Sequence, residues 1–395
     1  MSMKILIAGG GIAGLAASLA LARDGHDIIL FEQAAAINEV GAGLQISPNG
    51  MKVLRSLNLE EEVISAGFEP ERIELRMGKS GAVIFDIPLA DRSVDRWGAR
   101  YIHIHRADLL NILLNEAEIS DNIEIRLNHQ LQQINTDGDE VELTLSGGRT
   151  ERGDLLIGAD GIHSVVRERL TGPRPPRFTG CVAWRGVIDV SRLTGAKPPP
   201  TACAWVGKGA HMVTYYLRSG QLVNLVGVIE RSDWRTESWS ERGMRDQFLS
   251  DFKGWHPTLQ ELIQKGDEFF QWALFDRTPL PKWVDGRVGL IGDACHPMLP
   301  FLAQGAVMAL EDAYVLAKCL REEAAVETAL QTYQGMRRAR ATQIQDQSRR
   351  NAGTFHRQSP LTQLATYGPM WLAGHALPEV VHQRMDWIYG HDVTA

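Results

Sequence analysis

"KILIAGGGIAGLAASLALARDGHDIILFE", residues 4–32, carries the clearest fold signal in the chain. "KILIAG" is a short apolar strand that stops at glycines. "GIAGLAASLALARDG" is a helix of small and aliphatic residues with Gly25 as its stop. "HDIILFE" is the next strand, so the chain opens with a βαβ unit. Residues 5–22 carry no charge and invite a competing reading as a signal peptide or membrane span. Gly9, Gly10, Gly11 and Gly14 break the uniform helix that either would need, and no other apolar run is long enough to cross a bilayer.

Gly9-x-Gly11-x-x-Gly14 lies at the strand-to-helix turn. The first glycine permits the tight turn, and the second lets backbone approach a pyrophosphate. The third lets helix and strand pack closely, with phosphates at the positive helix N-terminus. Glu32 closes the second strand, 18 residues beyond Gly14, where a carboxylate can accept hydrogen bonds from a ribose. The pattern asks for a dinucleotide without distinguishing NAD from FAD.

The totals are those of a soluble globular protein long enough for two domains: 395 residues, 44% apolar and 23% charged. A net charge of −7 with no dominant basic block argues against nucleic acid as a partner. Cys181, Cys203, Cys295 and Cys319 show no metal-ligand spacing, so no metal is expected, and separate thiols suit a reducing cytoplasm.

Farther along, residues 122–157 alternate strands with Asp-Gly and Gly-Gly turns and read as a β-meander. "TGPRPPRFTG" (171–180) reads as a domain boundary. "TACAWVG", "AHMVTYYLR" and "QLVNLVGVIE" then predict an antiparallel sheet in a second domain. The pattern turns helical near 245–265, returns to a buried strand at "RVGLIGD", and is helical again over 305–350. The last ~45 residues read as further helices without site chemistry.

Three more stretches carry polar residues at the ends of apolar runs: "IHIHRADLL" (102–110) with Arg106, "GADGIHSVVR" (158–167) with Asp160-Gly161, and "IGDACHPMLPFLAQGA" (291–306) with Gly292-Asp293. With the opening fingerprint, and with these motifs in order, the chain resembles the single-component FAD-dependent aromatic hydroxylases over residues 3 to about 350. Within that family it looks most similar to the salicylate hydroxylase, 3-hydroxybenzoate 6-hydroxylase and 6-hydroxynicotinate 3-monooxygenase group.

The resemblance implies an α/β protein with an α+β second domain. A Rossmann-like FAD-binding domain with its meander would take residues 1–70, 98–172 and 276–350. An antiparallel-sheet substrate domain would take 71–97 and 173–275, followed by a helical region at 351–395. Oligomeric state stays open, with those C-terminal helices able to support a homodimer. It assigns Gly9, Gly11, Ala13, Gly14, Glu32, Gln33, Gln45, Arg106, Asp160 and Asp293 to the cofactor, Asp293 on the ribityl chain. The loop "GAGLQ" (41–45) would run beside the isoalloxazine. The helix starting near Gly305-Ala306 would aim its N–H groups at the flavin pyrimidine edge, where reduced flavin is negative. Pro297 and Pro300 would stiffen the loop before it, and His296 would be structural. With one glycine fingerprint in the chain, NADH or NADPH would dock transiently near Asp160-Gly161. The activity implied is hydroxylation of a phenolic acid by O2 through a flavin C4a-hydroperoxide, in aromatic catabolism.

For the substrate, strand alternation puts His211, Val213, Tyr215 and Leu217 on one face of "AHMVTYYLR". His211 and Tyr215 then stand roughly 13 Å apart, too far to grip one atom but able to line one pocket. The strand alone also allows an exposed histidine and a core tyrosine; the resemblance makes His211 the base and Tyr215 its orienting partner. Related pyridine-ring hydroxylases carry histidines where this chain has Gln45 and Phe301. A pocket bounded by those two is less basic and favours a benzenoid acid over a hydroxypyridine carboxylate. Arg185 serves either the fold or the site. A non-hydroxylating flavin oxidoreductase on the same fold is the other enzyme reading; a halogenase is disfavoured by the missing WxWxIP pattern. The complete Gly-Asp loop argues against a non-catalytic FAD-fold binding protein, and a plain NAD dehydrogenase would leave Asp293 without a role.

Overall fold

The computed structural model describes residues 2–37, 42–136, 138–231 and 242–395. A six-stranded sheet forms its first half, in the order Val284–Asp285, Val288–Leu290, Leu155–Gly158, Lys4–Ala8, Asp27–Phe31, Ile123–Arg126. All its pairs are parallel except the hairpin Val284–Asp285 with Val288–Leu290. Ile5, Leu6 and Ile7 are fully buried, each contributing about 1.5–3 kcal/mol by leaving water. The first helix, Ile12–Arg23, lies over this sheet and is buried along nearly all its length, as its Ala-rich sequence, uncharged up to the exposed Arg23, requires.

Only part of the expected meander is one. Leu131–Asn135, Val141–Leu145 and Thr150–Gly153 form a three-stranded antiparallel sheet, while Ile123–Arg126 and Leu155–Gly158 join the parallel sheet. Burial explains the split: Leu155–Gly158 is buried throughout, whereas Val141–Leu145 is most deeply buried at alternate positions. The "GAGLQ" loop is also reassigned. Gly41 lies outside the described residues, and Gly43–Ile46 is a strand paired antiparallel with Ile102–His105, Gln45 opposite His103.

The second half is an eight-stranded sheet in the order Arg242–Gly243, Phe269–Asp276, Arg177–Asp189, Leu222–Glu230, Ala210–Leu217, Ala202–Gly207, Arg72–Met77, Val83–Pro88. It is antiparallel except between Ala202–Gly207 and Arg72–Met77. One face packs Trp184, Trp205 and Met212 against Phe248, Phe252 and Leu262 from the helices Arg245–Asp251 and Pro257–Lys265, with Trp184 stacked 4.8 Å from Phe248. Alternation turns Ala183 and Arg185 to the opposite face, toward the first half of the molecule.

Helices Gly305–Glu322 and Val326–Phe355 close the structure against the parallel sheet, the second running past residue 350. Pro360–Ala376 follows, opened by a capping box at Ser359 and Thr362, then Pro378–Gln383 and Asp386–Tyr389.

Candidate active site

Between the two sheets lies a cavity of about 270 Å³. Gly11, Ala13, Arg106, Gly161, Asp293, Gly305 and Ala306 face it from the parallel-sheet side; Gln45, Arg185, His211, Val213, Tyr215 and Trp272 face it from the other.

The three fingerprint glycines have different reasons to be glycine. Gly9 has φ +107°, and a Cβ there would stand 2.4 Å from the Ala159 carbonyl oxygen. A Cβ on Gly14 would stand 1.9 Å from the Gly9 carbonyl oxygen. Those two are demanded by packing. A Cβ on Gly11 would meet nothing within 4 Å, so the protein's own packing does not require glycine there. A pyrophosphate drawn against the first-turn N–H groups does. With Asp293 and the Gly305 helix N-terminus on the same cavity, the residues present fit FAD.

Glu32 accepts from the Gly10 N–H (2.8 Å) and the Ala34 N–H (2.8 Å), holding the glycine turn to the strand end. Gln33 is exposed just beyond it. Asp160 turns away from the cavity: its carboxylate accepts from Ser164 Oγ and from the N–H groups of Val165 (2.7 Å) and Val166 (3.1 Å), capping the helix Val165–Thr171. Burial raises the Asp160 pKa against those bonds. Asp293 reaches the cavity, and the protein around it pushes its carboxyl pKa up, against the pull of His296, Arg106 and Arg167. Arg106 donates its N–H to the Ala42 carbonyl (2.7 Å), which ties the Ile102–His105 strand end to the incoming strand. Burial lowers its pKa, offset by Asp293.

Behind the Gly305 helix sits a buried ionic network that sequence reasoning missed. Arg337 donates to Asp312 (2.8 Å) and Glu311 (2.5 Å), Arg340 donates to Glu311 (2.8 and 2.9 Å), and Asn49 donates to Glu311 (2.7 Å). Burial alone would raise the Glu311 pKa; Arg337 and Arg340 outweigh it and hold it at about 2. Asp312 also takes the Gly292 N–H (3.0 Å) and His296 Nε2 (2.5 Å). The network thus fixes the Gly292-Asp293 turn, where Gly292 has φ +59°, and His296 is held within it. Arg167 joins the two aspartate motifs by donating to the carbonyls of Ile162 (2.7 Å) and Ala294 (3.2 Å). Its signal was an arginine inside "GADGIHSVVR", readable only once the second motif's position is known.

On the substrate side His211 and Tyr215 are buried, at 2% and 5% exposure, and both face the cavity. A Cβ on Gly43 would fall 2.4 Å from the Tyr215 ring, so glycine there lets the ring lie against the strand. Burial raises the Tyr215 pKa, against Arg185 and Asn224, leaving a protonated donor at neutral pH. Gln45 accepts from the Tyr101 hydroxyl (2.7 Å). Arg185 lies with its guanidinium 4.6 Å from the Trp272 ring; burial lowers its pKa to about 10, still cationic near neutrality. Phe301 is not on the cavity wall: it stands edge-on behind His211, ring centres 5.2 Å apart. His211 Nδ1 lies 2.7 Å from His356 Nε2. The C-terminal region, expected to carry no site chemistry, therefore reaches the site, through a residue at the end of a helix with no motif to mark it.

The FAD binding domain family model matches residues 2–348. The chain is 36% identical to 6-hydroxynicotinate 3-monooxygenase of Pseudomonas fluorescens over 91% of this chain and 94% of that one. It is likewise 36% identical to 3-hydroxybenzoate 6-hydroxylase 1 of Aquipseudomonas alcaligenes, over 100% and 99%. The crystal structure of Klebsiella pneumoniae HpxO complexed with FAD and uric acid superposes with a TM-score of 0.88 at 26% identity, covering 98% of this chain and 97% of that one. A parallel sheet with its pyrophosphate turn, an antiparallel wall carrying His211 and Tyr215, and full-length similarity to these enzymes agree: the chain belongs to the FAD-binding-domain family, among its flavoprotein aromatic hydroxylases.

Proposed function

We propose that this FAD-dependent monooxygenase hydroxylates a phenolic carboxylic acid of the salicylate or hydroxybenzoate type, with His211 taking the phenol proton and Tyr215 orienting the ring. The observation that carries the reading is the shared cavity wall: a neutral base and a phenol donor, four residues apart on one face of one strand, opposite the flavin motifs. FAD, reduced by NADH or NADPH, supplies the oxygen activation when bound. Gly11 and Ala13 would hold its pyrophosphate, Asp293 its ribityl chain, and the Gly305-Ala306 N–H groups the pyrimidine edge. Glu32 keeps one lone pair per oxygen for the ribose beside its two backbone bonds.

His211 is held neutral at pH 7, because burial, and then His356, lowers its pKa well below the ordinary value. Its lone pair is therefore free for the phenol O–H, but the lowered pKa makes it a poor resting place for that proton, so the ring becomes a stronger nucleophile only as the proton is passed on. Arg185 supplies a cation for the carboxylate or for the phenolate left behind. A hydroxypyridine carboxylate is the second reading, favoured by the Pseudomonas fluorescens relative. Gln45 on the wall and Phe301 behind His211 keep the site less basic and favour the benzenoid acid.

Four buried free cysteines support a cytoplasmic setting. An exposed apolar stripe on Pro360–Ala376, with Leu361, Leu364, Trp371 and Leu372, supports a homodimer, to be checked by light scattering.

The test is NADH and NADPH oxidation by the FAD-loaded protein with hydroxybenzoates and hydroxypyridine carboxylates, scoring hydroxylated product. One hydroxybenzoate should stimulate oxidation and be hydroxylated. Product from hydroxypyridine acids alone moves the assignment to the second reading, and product from none refutes both. Gly11→Val should abolish FAD binding while leaving the fold intact by circular dichroism.

A further inference from the structure

We propose that His211, His356 and Glu230 form a proton relay that carries the substrate's phenolic proton from the cavity to solvent. The relay rests on the reading of His211 as the base. His211 Nδ1 lies 2.7 Å from His356 Nε2, and His356 Nδ1 lies 3.3 Å from Glu230 Oε1. The two imidazoles are buried, whereas the Glu230 side chain is 44% exposed. Three titratable groups from three elements thus run in line from the cavity wall to the surface: the strand Ala210–Leu217, the end of the helix Val326–Phe355, and the end of the strand Leu222–Glu230.

The need for such a line follows from burial. An imidazolium at His211 would sit among Phe301, Phe355 and a second histidine, with no carboxylate on it among the described residues. Burial holds the His356 pKa at about 4, so neither ring is a resting place for a proton at neutral pH. Glu230 is the carboxylate on this line, its pKa raised by partial burial and lowered by the bond from Gln358.

One tautomer lets the line run. His211 carries its proton on Nδ1 and donates to His356 Nε2, and His356 carries its proton on Nδ1, facing Glu230. The phenol O–H breaks as His211 Nε2–H forms; His211 Nδ1–H breaks as His356 Nε2–H forms; His356 Nδ1–H breaks as the Glu230 carboxyl forms. Glu230 then gives the proton to water. Both rings end neutral, and the phenolate stays in the cavity that Arg185 lines. Beyond Glu230 and His211, His356 has Phe301 against it, with Arg357 next along the chain.

The test follows proton release in stopped flow, with a pH-indicator dye in weak buffer, when oxidised FAD-loaded enzyme binds 2-, 3- or 4-hydroxybenzoate. Phenolate absorbance is read alongside. The wild type should release a proton as phenolate appears. His356→Ala should release it at least tenfold more slowly, with flavin absorbance intact and the rate restored by added imidazole. Glu230→Gln, at an exposed position, should slow release several-fold. Wild-type rates in both variants would overturn the relay. A slow His211→Ala beside fast His356→Ala and Glu230→Gln would keep His211 as the base and remove the relay alone. A wild type that releases no proton, or binds none of the three acids, takes down the base assignment and the relay with it.

Discussion

Two buried histidines, His296 and His211, differ in exposure by one percentage point yet serve opposite ends. His296 belongs to the region behind the Gly305 helix, where Asp312, Arg337, Glu311 and Arg340 match charge with charge. His211 belongs to the region behind the substrate wall, where its partners are another neutral histidine and the rings of Phe301 and Phe355. The first region is closed and compensated, and its work is to hold the Gly292-Asp293 turn and the helix N-terminus at fixed positions. The second is uncompensated on one side and open to solvent at Glu230 on the other. Burial alone does not separate the two histidines; the charge of what stands behind each does, and it is the ground for reading His211 as the base.

Breaking the closed region should have the largest effect on the fold. Arg337→Met leaves Glu311 and Asp312 buried with too little positive charge, and should cost about 3–5 kcal/mol in chemical denaturation. His296→Gln keeps Arg337 and the Gly292 N–H on Asp312, and should cost about 1–3 kcal/mol in the same measurement.

Acid separates the two regions with a smaller effect. His356 titrates at about 4 in the fold against about 6.5 when unfolded, so between those values the unfolded chain binds more protons. Stability should therefore fall as pH drops from about 6.5 toward 4, with a contribution on the order of 1–3 kcal/mol that His356→Gln removes. Glu311 is depressed instead, to about 2, so its contribution is present above the ordinary carboxylate range and is lost as pH falls through about 2. Melting curves across pH 7 to 2 should show the histidine step before the carboxylate step. A single step in the carboxylate range would merge the two regions and remove the distinction.

The cofactor side was legible in the sequence because its chemistry is local. Gly11 answers to a pyrophosphate and Gly14 to the turn's own backbone, both within a few residues, and only Gly9 also meets a distant segment, at Ala159. The substrate side was half legible: alternation put His211 and Tyr215 on one face, but Arg185 arrives through sheet order, from a strand separated from theirs by Leu222–Glu230. His356 comes from 145 residues away, by the placement of a helix end that no pattern marks. Glu311 and Asp312, in "LEDA", resemble a solvated helix face until Arg337 is seen against them. Glu32 and Asp160 teach the converse, since a carboxylate at a motif position can be occupied by its own backbone. Phe301 illustrates the same limit, packing behind His211 where a wall position was expected.

The most direct measurement sets His211→Ala beside His296→Gln, both FAD-loaded, and reads hydroxylated product per second together with melting temperature. With His211 as the base, His211→Ala should lose product formation about 100-fold or more while keeping its flavin and its melting temperature near the wild type. His296→Gln should melt several degrees lower and keep most of its rate. The reverse pattern, with product lost from His296→Gln and retained by His211→Ala, would contradict that assignment.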